Sequence, residues 1–181
     1  MCLAVVCSNH ILIANVGDSR GVLGRRGLGS DEIAEPLTVD HKPSSPSEKC
    51  RISQYGGRVF PVVYSDGVVG PDRVWLADQR SPGLAMSRSI CDTIAHRAGV
   101  ISTPDFFERT LDISQDRAMI LATDGLWDVM SNEDAMQLCL SKHETSVAVS
   151  SLIKEARQRW LCRSSCMDDV TVCVVFFHSA S

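Results

Sequence analysis

No uninterrupted apolar stretch in the sequence approaches the ~20 residues of a membrane-spanning helix, although 44% of its 181 residues are hydrophobic. That argues against a membrane protein and leaves the apolar residues for a core. The opening "MCLAVVCSNHILIANVGDSR" lacks a basic leading region and a small-residue cleavage site, and carries Asn9-His10 in its middle. It reads as a pair of strands and not as a secretory signal. No basic cluster is present and the net charge is −4, so a nucleic-acid surface is not expected. The eight cysteines are scattered, and the only close pair, Cys162-x3-Cys166, has no second pair and only His178 nearby. A disulfide scaffold and a zinc knuckle are both disfavoured, and reduced thiols in an intracellular, cytoplasmic or nuclear protein are expected. Internal repeats and low-complexity tracts are also missing. What remains is a chain long enough for one globular domain over residues 1–181, expected to be monomeric.

What is present is a series of short apolar runs. Leu3 to Cys7 and Ile11 to Val16, split by Ser8-Asn9-His10, have the pattern of a hairpin. Gly21 to Leu23 is a third run, and the glycine-rich stretch 24–30 reads as a surface loop. Ser45-Pro46-Ser47-Glu48 carries an N-cap, a proline at the first helical position and an acid to close a capping box; Gly56-Gly57 ends that helix. Ser131-x-x-Asp134 caps a second helix with Ala135, Met136, Cys139 and Leu140 on its buried face. A third spans about 146–160, where Val149, Leu152, Ile153, Ala156 and Trp160 keep helical spacing. Residues 60–80, rich in Gly, Pro and Asp, read as an irregular excursion. The chain closes on "DDVTVCVVFF", a β-branched strand entered through two acids. Buried strands need helices on their outer faces, so the expected class is α+β, a four-layer helix/sheet/sheet/helix sandwich of antiparallel sheets.

Three of the strands begin or end at acids: Val16-Gly17-Asp18, Ala122-Thr123-Asp124, and Met167-Asp168-Asp169 before Val170; Asp128 follows four residues after Asp124. A buried unpaired carboxylate costs several kcal/mol, so each must be protonated, paired or bound to a cation. Taken singly they read as turn or helix-end acids, and Asp18 could pair with Arg20 or Arg88. Taken together, Asp18, Asp124, Asp128 and Asp168 suit a hard-cation site with oxygen ligands, and their carboxylates are expected to converge. Arg20 and Arg88 are expected to form buried ion pairs, with Asp92 a candidate partner, and His41 to make local hydrogen bonds in a loop.

"ANVGDSRGVL", "LTVDHKPSSPSEKCRISQYGGRV", "PGLAMSRSICD", "ILATDGLWDVMS" and "DDVTVCVVFF" stand in the order found in the metal-dependent protein serine/threonine phosphatases. The chain thus resembles the protein phosphatase 2C family over nearly its whole length. The resemblance implies two Mg²⁺ or Mn²⁺ ions between two antiparallel sheets and a bridging water. It implies in-line attack on the phosphorus of phosphoserine or phosphothreonine in phosphoprotein substrates. It places Asp124 and Asp168 as metal ligands, and Asp18 and Asp128 at a weaker third metal. It sets 60–80 at the family's flap, where Arg58, Arg73 and Trp75 are either fold residues or substrate contacts.

The chain also departs from the pattern. The family's earlier block, a phosphate-gripping arginine, a Glu-Asp pair and an Asp-Gly-His-Gly turn, has no counterpart here, as if the chain matched the C-terminal two-thirds of a domain. Cys91 stands where glycine is usual, and Asp169 where asparagine is common. Two alternatives follow: a catalytically inactive phosphatase-like binding or regulatory module, and a cysteine-dependent phosphatase built on the Cys91-x5-Arg97 spacing. The second is disfavoured, because its loop has no glycine to wrap a phosphate and Asp92 opposes both thiolate and phosphate.

Overall fold

The computed structural model describes residues 1–27, 32–63, 67, 69–163 and 166–178. The chain forms two compact units. The larger comprises Cys2–Asn15, Ser19–Val39 and the chain from Phe106 onward, and the smaller Met1, Val16–Asp18 and Asp40–Asp105. Helices and antiparallel sheets make it an α+β fold. Among the described residues no helix is long and apolar enough to cross a membrane.

In the larger unit, β1 (Cys2–Cys7) and β2 (His10–Asn15) form the expected hairpin, turned at Ser8 with φ 54°. They share a sheet with β8 (Asp105–Thr110). A second sheet has the order β10-β9-β3-β4, built from β3 (Arg20–Arg26), β4 (Glu32–Pro36), β9 (Asp116–Ala122) and β10 (Val172–Phe176). Its side chains alternate with period two. Val22, Ala118, Ile120, Ala122 and Val174 face helices α4 (Asn132–Leu140) and α5 (Thr145–Arg163). Leu23 and Met119 face the first sheet, meeting Ile11 and Ile13. Helix α4 starts as expected, with the Ser131 hydroxyl accepting from Asp134 N–H at 3.0 Å.

Within the larger unit these elements stack as a layered sandwich, α4 and α5 on one antiparallel sheet and that sheet on the other. On the outer face of the β1–β2–β8 sheet, Leu3, Val5 and Leu12 are about half exposed and Phe106 is 66% exposed. Among the described residues of this unit no helix covers that face, because its helical segments all follow β9 in sequence and pack on the other side. The expected surface loop over 24–30 begins later than its glycines suggest. Gly24 to Arg26 continue β3, since a Cβ at Gly24 would lie 2.4 Å from Met136 Sδ and only glycine lets α4 approach. Residues 28–30 of that stretch lie outside the described residues.

Cys139 is wholly buried in this core, and burial pushes its thiol up to about 11. Six other cysteines are exposed: Cys7, Cys50, Cys91, Cys162, Cys166 and Cys173. At pH 8 a dithiobenzoate reagent should titrate those six rapidly and reach Cys139 only after denaturation. Rapid reaction of all eight thiols in the native protein would contradict the packing described here.

In the smaller unit, α1 (Pro46–Gln54) and the short α2 (Thr93–His96) accompany a three-stranded sheet of β5 (Arg58–Val63), β6 (Val69–Trp75) and β7 (Pro82–Leu84). Ile52, Val74, Leu76, Ala95, Ala98 and Val100 form its core. The irregular excursion expected over 60–80 is thus largely regular strand, with 64–66 and 68 outside the described residues. Its three conspicuous side chains serve the fold. Trp75 stacks on Phe60 and donates to its carbonyl at 2.9 Å, Arg58 donates to Leu76 O, and Arg73 donates to Gly83 O at 2.7 Å.

The capping box expected at α1 does not form. Ser45 stands at the N-cap without a side-chain bond to the helix. Glu48 has turned instead to Arg51, Arg88 and the Ser87 hydroxyl. Two guanidinium groups outbid one backbone N–H for a carboxylate.

Candidate functional site

Strands β9 and β10 run antiparallel with Val172 opposite Ala122. The chain leaving β9 therefore lies beside the chain entering β10. Thr123 fastens the two. Its N–H donates to Thr171 O at 3.1 Å, its hydroxyl donates to Asp169 O at 3.1 Å, and the same oxygen accepts from Thr171 N–H at 3.0 Å. The next two residues, Asp124 and Gly125, start the one-turn helix α3 (Asp124–Trp127). Gly125 is there because of contact, not of φ: a Cβ on it would stand 2.3 Å from Asp169 O. Asp124 and the Asp168–Asp169 segment are thus brought together by strand pairing, the Thr123 bonds and the close approach at Gly125.

Their carboxylates are held locally. Asp124 Oδ1 accepts from Gly125 N–H at 3.0 Å, and Asp168 Oδ1 accepts from Asp169 N–H at 2.8 Å. Asp124 is half-buried, while Asp168 and Asp128 are exposed. Asp128 ends α3, and its carbonyl accepts from Arg163. This answers why a buried strand finishes in an acid: the carboxylate stands past the strand, at the rim, on a turn fixed from below.

Asp18 belongs to the smaller unit. It is 4% exposed and pairs with Lys42 Nζ at 2.5 Å, while Arg88 turns to Glu48 and Asp105. The corner before it is built by Gly17, at φ 103°, whose N–H donates to His41 Nδ1 at 3.1 Å. The His41 Nε2–H then faces Asp105 Oδ2 at 3.1 Å, so His41 is the loop-fixing residue its context suggested. For Asp105, burial pushes the carboxyl up, but hydrogen bonds from His41 and Arg88 outweigh it and hold it below the usual range.

The expected ion pairs are partly rearranged. Arg88 pairs with Glu48 at 3.0 Å and Asp105 at 2.7 Å, whereas Asp92 accepts the Ser89 hydroxyl. Arg20 donates to Asn132 Oδ1 at 2.8 Å and lies over the Trp127 ring. The fully buried acid that the sequence did not single out is Asp116, held by Arg25 at 2.8 Å and by the Asp112 N–H. In the Cys91 loop, the N–H groups of Thr93, His96 and Arg97 donate to carbonyls of their own turn, which leaves them unavailable to cradle a phosphate.

Among the described residues, no three His, Cys, Asp or Glu side chains gather as a metal-holding group. In kind, however, Asp124 and Asp168 fit an oxygen-preferring divalent cation. In number they are fewer than the six or so positions such an ion fills.

The family model for protein phosphatase 2C matches residues 2–167. The chain belongs to the protein phosphatase 2C family. It is similar to "Probable protein phosphatase 2C 12" of Oryza sativa subsp. japonica, 41% identical over 177 residues, covering 97% of this chain and 44% of that protein. It is likewise similar to "Probable protein phosphatase 2C 34" of Arabidopsis thaliana, 42% identical over 173 residues, covering 94% of this chain and 47% of that one. Among solved structures, a serine-threonine phosphatase 2C from Toxoplasma gondii superposes with TM-score 0.86 at 28% identity, covering 98% of this chain and 57% of that one. The chain thus spans a little under half the length of these two plant relatives.

Proposed function

We propose that this chain supplies metal-binding acids of a protein serine/threonine phosphatase, acting on phosphoserine or phosphothreonine in phosphoprotein substrates. The supporting observation is the Thr123 clamp, which sets Asp124 beside the Asp168–Asp169 segment at paired strand ends. In this reading Asp124 and Asp168 hold a divalent cation, Mg²⁺ or Mn²⁺, and Asp128 serves a weaker one. When bound, the cation supplies Lewis-acid stabilisation of charge developing on the phosphoryl oxygens. The chain's own part is orientation. The Gly125 and Asp169 N–H groups aim the two carboxylates. A monomer in the cytoplasm or nucleus is part of the same proposal. A non-catalytic binding module has no observation in its favour.

The test is Mn²⁺-dependent phosphate release from a phosphothreonine peptide. It is measured on this chain and on this chain joined to the preceding segment of the rice relative. In the joined chain Asp124→Asn should lower turnover roughly 100-fold or more, the scale of losing one charge-stabilising group, while Cys91→Ser leaves it within about twofold. The 181-residue chain alone should turn over far more slowly than the joined one, because two carboxylates cannot fix a pair of ions. Chelator-resistant activity that is lost with Cys91→Ser would overturn the reading.

A further inference from the structure

Helix α3 is a single turn, so its C-terminal carbonyls lack intrahelical partners. The Val129 N–H, which a continuing α-helix would aim at Gly125 O, bonds to Leu126 O instead at 3.2 Å. The Gly125 carbonyl is therefore left over, beneath the most critical turn of the site. It is taken by a side chain 35 residues away: Trp160 Nε1–H donates to it at 2.7 Å. One helical turn further along α5, Arg163 donates to Asp128 O and lies over the Trp160 ring, 6.0 Å from its centroid. Arg159, on the same side of the helix, donates to Val129 O at 3.2 Å. Three neighbouring side chains of α5 thus hold three carbonyls of the turn that carries Asp124 and Asp128.

We propose that Trp160 is a positioning residue for Asp124, acting through the Gly125 peptide, with Arg163 as its second point of attachment. The geometry gives the peptide two tasks. Gly125 N–H holds Asp124 Oδ1 at 3.0 Å while its carbonyl is held by Trp160. The bond from Trp160 therefore restrains the rotation of that peptide plane, and with it the direction of the carboxylate. The Cβ side of Gly125 is closed by Asp169 O, which a Cβ would meet at 2.3 Å, so the peptide is restrained there as well. A partner that orients a metal ligand in this way typically alters affinity 10- to 100-fold when it is lost. The inference rests on the proposed cation-binding role of Asp124 for its functional consequence, but not for the restraint itself.

Two variants of the 181-residue chain separate the hydrogen bond from the ring's bulk. Trp160→Phe removes the N–H and part of the ring. Replacement of Trp160 by benzothienylalanine, with sulfur in place of N–H, keeps the ring's size. Amide hydrogen exchange is read residue by residue, and Mn²⁺ binding is read from paramagnetic broadening at Asp124 and Asp168. In both variants the Gly125 and Asp128 amides should exchange roughly tenfold faster, as expected when a buried acceptor loses its donor. Amides of β9 and β10 should be unchanged, and the Mn²⁺ midpoint should rise about tenfold or more. Exchange and Mn²⁺ response identical to the parent chain would overturn the proposal. So would acceleration spread evenly through β9 and β10, which would make Trp160 a general core residue. A parent chain that shows no Mn²⁺ broadening at Asp124 or Asp168 overturns the cation reading, while the exchange data still decide the restraint.

Discussion

Replacing Glu48 with alanine is expected to lower stability by about 3 kcal/mol or more, the range found when one partner of a buried ion pair is removed. Glu48 is 4% exposed and accepts from Arg51 at 2.7 and 2.8 Å, from Arg88 at 3.0 Å and from the Ser87 hydroxyl. Arg51 and Arg88 keep carbonyl partners at Gly99, Ser87 and Thr103, which limits the loss. The same group gives a pH dependence of definite sign. Burial pushes the carboxyl up, but hydrogen bonds from Arg51, Arg88 and Ser87 and the charge of Arg51 more than offset it. The result is a fall from 4.5 to about 2. The unfolded chain therefore takes up the proton first as pH falls. The contribution, about 3 kcal/mol for a shift of that size, is complete above pH 4.5 and is lost progressively toward pH 2. Urea midpoints at pH 7 and pH 3 should therefore converge for parent and Glu48→Ala. A constant gap between the two proteins across that range would sink the assignment.

The second large effect is expected at Gly125. An alanine Cβ there would meet Asp169 O at 2.3 Å and Asp169 C at 2.8 Å. The opposing atoms are backbone, in a segment tied to Thr123 by one hydrogen bond at Asp169 and two at Thr171, so neither side yields cheaply. Overpacking of this kind costs about 1–3 kcal/mol, and each Thr123 bond that breaks adds about 1. At about 2–4 °C per kcal/mol for a chain of this size, Gly125→Ala should melt roughly 10 °C lower. Gly56 provides the contrast. It has φ 79° with nothing within 4 Å of its would-be Cβ, so Gly56→Ala should cost only the ~1–2 kcal/mol of a left-handed alanine. A Gly125→Ala protein that melts with the Gly56→Ala protein would mean the two chain segments part easily.

Much of the larger unit could be read from the chain because its elements agree with their local patterns. The Leu3–Val16 hairpin, the Ser131 cap and the α5 stripe are set by period and by turn residues, and tertiary contacts reinforce them. The smaller unit hid its sheet. Pro61 and the glycines and aspartates of 66–72 look like breakers, yet β5 is an edge strand, where a missing N–H is tolerated. Glu48 satisfied a capping rule on paper and obeyed two arginines instead. At the site, Asp124 and Asp168 stood out because acids at strand ends are anomalous. Thr123 and Trp160 did not, because a threonine ending a strand and a tryptophan at helical spacing look ordinary. What makes them special is a partner 46–48 or 35 residues away, which no local pattern encodes.

The strand order β10-β9-β3-β4 also sets a timetable for synthesis. Arg20 pairs with Ala122 across about a hundred residues, and the edge strand ending at Phe176 follows about fifty residues later still. At about 5–20 residues per second, a ribosome that has released β3 needs roughly 5–20 s to deliver its neighbour β9. During that interval the β3 edge that β9 will pair with, and the face that α4 and α5 will cover, stay open to other chains. The nascent polypeptide is thus a client for chaperones until β9 emerges, and slowed elongation between the codons of Asp40 and Asp116 should lower the soluble yield.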